Sequence, residues 1–205
     1  MSMSVAKRSS LSRHFRLSAA SLLLAQSSIV ALSAGGALAQ GPQDGVVIRG
    51  SAAISQGAAE TRISQSSQRA VIDWRGFDVS EGHRVVFDQP SRAAATLNRV
   101  TSGTGSVIAG EIVAPGAVVI QNNAGVAFSG TARVNVGSLV ATTQSVDVDA
   151  FDAAGRLEIS GGAAPSAVVA NEGRITVSEA GLAGLVGPAV RNSGVIVADM
   201  GEIAL

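Results

Sequence analysis

The chain has 205 residues, of which 46% are hydrophobic, 15% are charged and only 3% are aromatic; there are 24 glycines and no cysteine. This composition excludes a core of bulky aromatic side chains and a disulfide-stapled fold. Its aliphatic side chains, many of them β-branched, suit the narrow interior of a coiled β-sheet.

The first 39 residues are predicted to be a cleaved secretory signal peptide. A basic start precedes the apolar and small-residue run 17–34, and Ala37-Leu38-Ala39 matches an A-x-A cleavage site. A transmembrane anchor is the alternative, but polar residues such as Gln26 interrupt the run. We therefore expect the Sec machinery to export the chain. The remaining residues 40–205 carry eleven arginines, no lysine and fifteen acidic residues, a net charge of −4, which argues against a nucleic-acid partner.

Residues 40–105 are predicted to form an N-terminal β cap. The strands expected here are Gly45–Gly50, His83–Asp88 and Thr96–Thr101, and the alternating stretch Thr61–Ser67 leads into the Trp-bearing segment Arg69–Val79. The bulky Trp74 and Phe77 are predicted to close the open end of the fold, which would otherwise expose unpaired strand edges and core.

Residues 106–205 are predicted to form the coils of a β-solenoid. Gly-x-aliphatic corners recur at separations of 18, 18 and 21 residues, at Gly137, Gly155, Gly173 and Gly194. A unit of about twenty residues built from short strands cannot close its own hydrophobic face, so it must stack on copies of itself. The equal offset after each glycine predicts one interior row, and the short strands leave no room for helices. The predicted row is Leu139, Leu157, Ile175 and Ile196.

The sequence predicts no catalytic, cofactor or metal site. Asp147, Asp149 and Asp152 form a carboxylate cluster of a kind that serves lyases and hydrolases on other solenoids. Asp147 and Asp149 are expected to share the face of one strand, but no basic partner lies nearby, which favours a solvated outer face. His83 is the one histidine after residue 39, so a zinc site or a histidine-based triad is not expected.

Two short motifs stand out between residues 98 and 141: Asn98-Arg99-Val100 reads N-R-V, and 134–141 follows the pattern V-x-V-G-x-L-V-A. Both resemble segments of the haemagglutination-activity, or two-partner-secretion, domain of filamentous-haemagglutinin-like exoproteins of Gram-negative bacteria. Asn122-Asn123-Ala124-Gly125-Val126 falls where the family has N-P-N-G-[VI]. Asn123 therefore replaces the proline, and Ala124 replaces the second asparagine.

The resemblance implies an all-β fold, a right-handed parallel β-helix with an N-terminal β cap. It also implies export through the periplasm to the outer cell surface or the medium, by a cognate outer-membrane β-barrel transporter that reads the domain with periplasmic POTRA domains. A host-cell or cell-surface receptor is the further partner expected for a surface adhesin. The residues assigned to partner recognition are Asn98, Arg99, Asn122, Asn123 and Gly125.

Other interpretations stay open at this stage. Corner asparagines are also explained as turn residues and as short ladders of side-chain amides, because Asn tolerates positive φ and bonds to nearby backbone. The alternative functions are a β-helix enzyme acting on polysaccharide and a direct carbohydrate-binding module. The chain stops at another Gly-x-aliphatic corner, Gly201–Ile203, which predicts either a truncated exoprotein or a fragment of a longer open reading frame. The isolated piece is expected to self-associate.

Overall fold

Short β-strands joined by tight corners build most of residues 40–205, the part of the chain that the computed structural model describes. The predicted signal peptide lies outside the described residues and stays a prediction. The first strands are β1 (Val46–Arg49), β2 (Ala52–Gln56), β3 (Glu60–Gln65), β4 (Arg69–Trp74), β5 (Arg84–Asp88), β6 (Ala95–Val100), β7 (Ser106–Ile108), β8 (Glu111–Val113), β9 (Ala117–Gln121) and β10 (Val126–Phe128). The remaining elements are β11 (Arg133–Val136), β12 (Ser138–Thr142), β13 (Ser145–Val146), α1 (Val148–Ala154), β14 (Ile159–Ser160), β15 (Val168–Asn171), β16 (Arg174–Val177), β17 (Leu182–Val186), β18 (Ala189–Asn192), β19 (Val195–Ala198) and β20 (Glu202–Ala204).

Three sheets run along the domain, and from β7 onward each coil contributes one strand to each of them. Sheet 1 has the order β1-β4-β6-β9-β12-β17-β20, and sheet 2 has the order β19-β16-β11-β8-β5-β3-β2. Sheet 3 is shorter, with the order β18-β15-β10-β7. Consecutive strands of one coil lie in different sheets, and strands of successive coils pair in parallel. The fold is therefore the predicted parallel β-helix.

Rows of aliphatic side chains fill the interior because equivalent residues of successive coils are paired in register. In sheet 2 the row is Val85, Ile112, Val134, Ile175 and Ile196. The first four of these side chains are at most 1% exposed. Neighbouring strands are about 4.8 Å apart, so each side chain packs directly on the next. A one-residue slip would turn the whole row outward, which fixes the register.

The predicted interior row of Leu139, Leu157, Ile175 and Ile196 is wrong. Ile175 and Ile196 are neighbours in sheet 2, but Leu139 lies in sheet 1, paired with Val118, and Leu157 lies between α1 and β14. The Gly-x-aliphatic motif marks corners in general, and each coil has three, so equal spacing in sequence did not identify equivalent corners.

Glycine is required where corners of successive coils touch. Gly137 and Gly181 both precede strands of sheet 1, and a Cβ at Gly181 would collide with the carbonyl oxygen of Gly137. The backbones therefore approach more closely than any larger residue allows.

The N-terminal strands differ from the coils in direction. β1 pairs antiparallel with β4, and β2 pairs antiparallel with β3, so they cover the first edges of sheets 1 and 2. Trp74 and Phe77 are fully buried at this end, with ring centroids 5.6 Å apart in an edge-to-face arrangement. Parallel pairing already begins at Glu60, well before the predicted start of the coils at residue 106. The corner spacing did not predict the first coils, because their register partners, such as Ile72 and Asn98, are 26 residues apart.

An insertion between β12 and β15 contains α1, so the prediction that the coils leave no room for a helix is wrong. Asp147 is the N-cap of α1 and accepts a hydrogen bond of 2.8 Å from the Ala150 amide, and Gly155 ends the helix with φ of 64°. Phe151 is 2% exposed and packs with Leu97 and Val140 on the outer face of sheet 1. The insertion thus covers a second, external apolar cluster. Within residues 40–205 no helix is long and apolar enough to cross a bilayer.

The stacked core predicts a sharp difference between the two faces of β11. Val136 is 3% exposed inside the coil, whereas Asn135 beside it is exposed. Val136→Asp should lower the free energy of unfolding by at least about 3 kcal/mol, because it buries an unpaired charge. Asn135→Asp adds the same charge on the outer face and should have little effect. Denaturant unfolding of both variants measures this, and equal stabilities would contradict the assigned faces.

Candidate functional site

Three of the predicted recognition residues meet at one cavity where β6 ends and β9 turns into β10. Arg99, Asn122 and Asn123 line this cavity, which has a volume of about 260 Å³ and is called the corner cavity below. The other lining residues are Val100, Thr101, Gly103, Gln121 and Ala124. Asn98 lies in the core next to it, and Gly125 ends the turn that follows Asn123.

Asn98 is a core residue. Its side chain is fully buried, its Oδ1 accepts a hydrogen bond of 3.0 Å from Trp74 Nε1, and its Nδ2 donates to the Val119 carbonyl at 3.2 Å. In register it stands between Ile72 and Ile120, so it is a polar member of an aliphatic row. Asn98 therefore satisfies the buried indole of Trp74 and ties it to the next coil.

Asn122 closes the corner. It is 1% exposed; Nδ2 donates to the Thr104 carbonyl at 2.8 Å and to Ser106 Oγ at 3.0 Å. Its Oδ1 accepts from the Ala124 amide at 3.0 Å, as in an Asx-turn. The side chain thus joins the β9–β10 corner to the corresponding corner of the preceding coil.

Asn123 is half-buried and connects the corner to the insertion. Its Nδ2 donates to the Thr143 carbonyl at 2.9 Å, and its backbone carbonyl accepts from the Ala164 amide at 2.9 Å. A proline here, as in the family motif, would lack this side-chain donor. The replacement therefore gives the corner an additional hydrogen bond to the chain that follows β12.

Gly125 has a φ of 135°, a backbone conformation that residues other than glycine rarely adopt. Its carbonyl accepts a hydrogen bond of 3.0 Å from the Ser106 amide. The residue therefore has a backbone role at the end of the turn.

Arg99 supplies the positive charge of the corner cavity. Its Nε lies 3.2 Å from Asp73 Oδ1, and the side chains of both residues are 27% exposed. The residues are register neighbours in sheet 1, and neither of these two atoms makes a hydrogen bond within the described residues. The contact is therefore electrostatic, and a partner can reach only the 27% of the Arg99 side chain that is exposed.

Gln121 is a site residue that the motif comparison missed. It is 7% exposed and pairs in register with Arg99. Its Oε1 accepts from the Val146 amide at 3.1 Å, and its Nε2 donates to Asn123 Oδ1 at 3.3 Å. The sequence feature that could have indicated this residue is its polar side chain directly after the apolar run 117–120. Gln121 orients Asn123 and holds the start of the insertion.

Asp147 precedes α1, whereas Asp149 and Asp152 lie within it. Asp147 caps the helix, and Asp149 lies 3.5 Å from Arg49 in an exposed ion pair. The expectation that both lie on one strand face is therefore wrong. His83 is 2% exposed and its Nε2 is 3.0 Å from Thr61 Oγ1. Among residues 40–205 no three His, Cys, Asp or Glu side chains are grouped so as to hold a metal ion.

A family model described as the TPS secretion domain matches residues 39–205. The chain belongs to this family. The match covers the β-helix and its N-terminal strands, so it includes the corner cavity and the insertion. The resemblance drawn from the short motifs is thereby confirmed.

Known relatives agree with this assignment. The chain is 36% identical over 107 residues to a heme/hemopexin-binding protein of Haemophilus influenzae, and 36% identical over 106 residues to the corresponding protein of a second strain. Each match covers 52% of this chain and 12% of the relative. The crystal structure of the HMW1 secretion domain from Haemophilus influenzae is similar, with a TM-score of 0.66 and 27% identity, over 76% of this chain and 42% of that one.

The buried amide of Asn98 generates a stability prediction. Asn98→Ala should lower the free energy of unfolding by about 1–3 kcal/mol, because the Trp74 indole loses its acceptor inside the core. Asn98, assigned to partner recognition from the sequence, therefore also stabilises the core. Asn135→Ala, at an exposed asparagine, should change stability by less than about 0.5 kcal/mol. Urea unfolding measures both, and equal effects would show that the indole hydrogen bond does not stabilise the fold.

Proposed function

We propose that this chain is the secretion module of a larger surface-exposed or secreted adhesin. In this proposal the predicted signal peptide brings the chain to the periplasm, where POTRA domains of a cognate outer-membrane β-barrel transporter recognise residues 40–205. The domain has no enzymatic activity of its own. The observation that carries the proposal is the match to the secretion-domain family over residues 39–205.

The corner cavity is the recognition site in this proposal. It combines an accessible guanidinium with the partly exposed amide of Asn123, and a partner can pair with either through hydrogen bonds. The cavity also lies beside Thr101 and Gly103, in a loop without regular structure, where a partner can approach the backbone.

Burial separates two modes of recognition. Arg99 and Asn123 are accessible on the folded domain, whereas Asn98 and Asn122 are at most 1% exposed. A transporter that reads the folded domain can contact only the first pair directly. A transporter that reads the chain before it folds can contact all four.

Secretion assays distinguish these modes. Each variant is co-expressed with the cognate transporter, and the protein in the medium is measured together with the melting temperature of the purified domain. Arg99→Gln and Asn123→Ala should lower secretion several-fold while changing the melting temperature little, because neither side chain belongs to the core. Normal secretion of both variants would exclude the corner cavity as the recognition site.

Buried substitutions need a control of matched stability. Asn98→Ala and Asn122→Ala remove core hydrogen bonds, so a loss of secretion could follow from instability alone. Val177→Ala, at a residue 3% exposed in sheet 2, removes apolar contacts instead. Lower secretion of the asparagine variants than of an equally unstable Val177→Ala would favour reading of the unfolded chain.

The ligands of the relatives do not identify the ligand of the larger protein. The curated relatives are named for binding heme and hemopexin, but the matched region is 12% of their length. We propose only that a host-cell or cell-surface receptor is bound by the larger protein.

A further inference from the structure

A second polar cavity, of about 590 Å³, lies on the outer face of sheet 2 and shares no residue with the corner cavity. It is called the arginine groove below. Its charged and polar lining includes Arg84, Glu111, Thr131, Arg133, Asn135 and Arg174. The secretion function described above uses none of these side chains.

The charges of the groove follow the parallel register. Glu60 pairs with Arg84, and Arg84 pairs in turn with Glu111. Glu111 is also the register neighbour of Arg133, so opposite charges alternate from strand to strand. The next neighbour of Arg133 is Arg174, which breaks the alternation. The strands are about 4.8 Å apart, and like charges directly opposite each other are destabilising.

The carboxylates of the charged row on sheet 2 are already engaged. Glu111 Oε2 lies 3.1 Å from Arg84 Nε. Arg62 forms ion pairs with Asp88 at 2.6 Å and with Glu60 at 2.8 Å. Hydrogen bonding to Asp88, followed by that to Glu60, raises the pKa of Arg62 above its ordinary value. The excess positive charge therefore stays at the end of the row.

The two neighbouring arginines keep most of their donors available. Arg133 uses Nη1 alone, donating to the carbonyls of Gly130 at 3.2 Å and Ala132 at 2.8 Å. The exposed Arg174 makes no side-chain hydrogen bond or ion pair within residues 40–205. Asn135 lies on the same face as Arg133, two residues along β11, and its exposed amide is also unpaired within this part of the chain. Two guanidinium groups and one amide with available donors thus line the same groove.

We propose that the arginine groove binds the sulfate or carboxylate groups of an acidic polysaccharide. One acidic group bridges Arg133 and Arg174, because a guanidinium matches the geometry of such groups through paired hydrogen bonds. The Asn135 amide donates to a neighbouring oxygen. The remaining charge alternation toward Arg84 orients the ligand along the row.

The lining favours a polysaccharide over a protein or a nucleic acid. Protein interfaces depend on aromatic or aliphatic anchors seated in pockets, and Ala109 is the one aliphatic side chain of this lining. A nucleic acid requires a continuous basic surface, whereas Glu81 and Glu111 lie in the groove. Because the lining contains no Trp, Tyr or Phe for stacking on a sugar and the His83 ring is only 2% exposed, the acidic groups must supply recognition.

Titration of the exported chain with three probes tests the proposal. The probes are a heparin-derived oligosaccharide, an oligogalacturonate and neutral dextran, which separate sulfate, carboxylate and uncharged sugar. We expect at least one acidic probe to bind, with an affinity that falls as salt screens the exposed charges, and no binding of dextran. Arg133→Gln and Arg174→Gln should each weaken binding about tenfold, as expected for one lost charge-assisted hydrogen bond.

Arg191→Gln is the matched control. Arg191 is exposed on β18 in sheet 3, so this variant removes the same charge without touching the groove. Its affinity for the probe should remain that of the unmodified chain, and secretion of all three variants should be normal. The proposal is overturned if neither acidic probe binds, if Arg191→Gln weakens binding as much as Arg174→Gln, or if a polyglutamate peptide binds more tightly than either oligosaccharide.

Discussion

Stacking of coils in register is the constraint on which the rest of this structure depends. One coil of about twenty residues is too small to bury its own aliphatic side chains, so each coil needs the floor and the backbone hydrogen-bonding edge of its neighbour. The interior row from Val85 to Ile196 shows the result in sheet 2. Polar rows follow the same register, since Asn171 Nδ2 donates to Oδ1 of Asn192 on the next coil at 2.9 Å. Every side chain on these sheets is thus placed by its partner one coil away.

The same constraint explains why polar residues inside the fold have structural roles. Asn98 would be an orphaned amide in an aliphatic row without the Trp74 indole and the Val119 carbonyl. Outside the coils, the insertion depends on polar links as well: Arg69 Nε donates to the Asp152 carbonyl of α1 at 2.6 Å. The corner cavity lies where these two systems meet, because Asn123 bonds both to its own corner and to the insertion.

The solenoid could be predicted from the sequence because short aliphatic runs and glycine corners follow directly from its geometry. Asparagines at corners were also a readable signal, and Asn171 and Asn192 form the expected amide ladder. The register was not predictable, since each coil has three similar corners and the insertion containing α1 separates β12 from β15. The burial of Asn98 was equally hidden, because its partner Trp74 is 24 residues away in sequence and one coil away in space. Motifs indicated the proposed recognition residues, but they could not separate accessible side chains from buried ones.

Hydrogen–deuterium exchange of the domain, with and without the periplasmic part of its cognate transporter, tests the proposed recognition most directly. Recognition of the folded domain at the corner cavity predicts slower exchange of backbone amides in residues 99–104 and 121–125 when the transporter is bound. The interior strands of sheet 2, such as β8, should exchange at the same rate in both samples. Unchanged exchange at the corner together with protection elsewhere would contradict the account, and faster exchange throughout the coils would show that the transporter unfolds the domain.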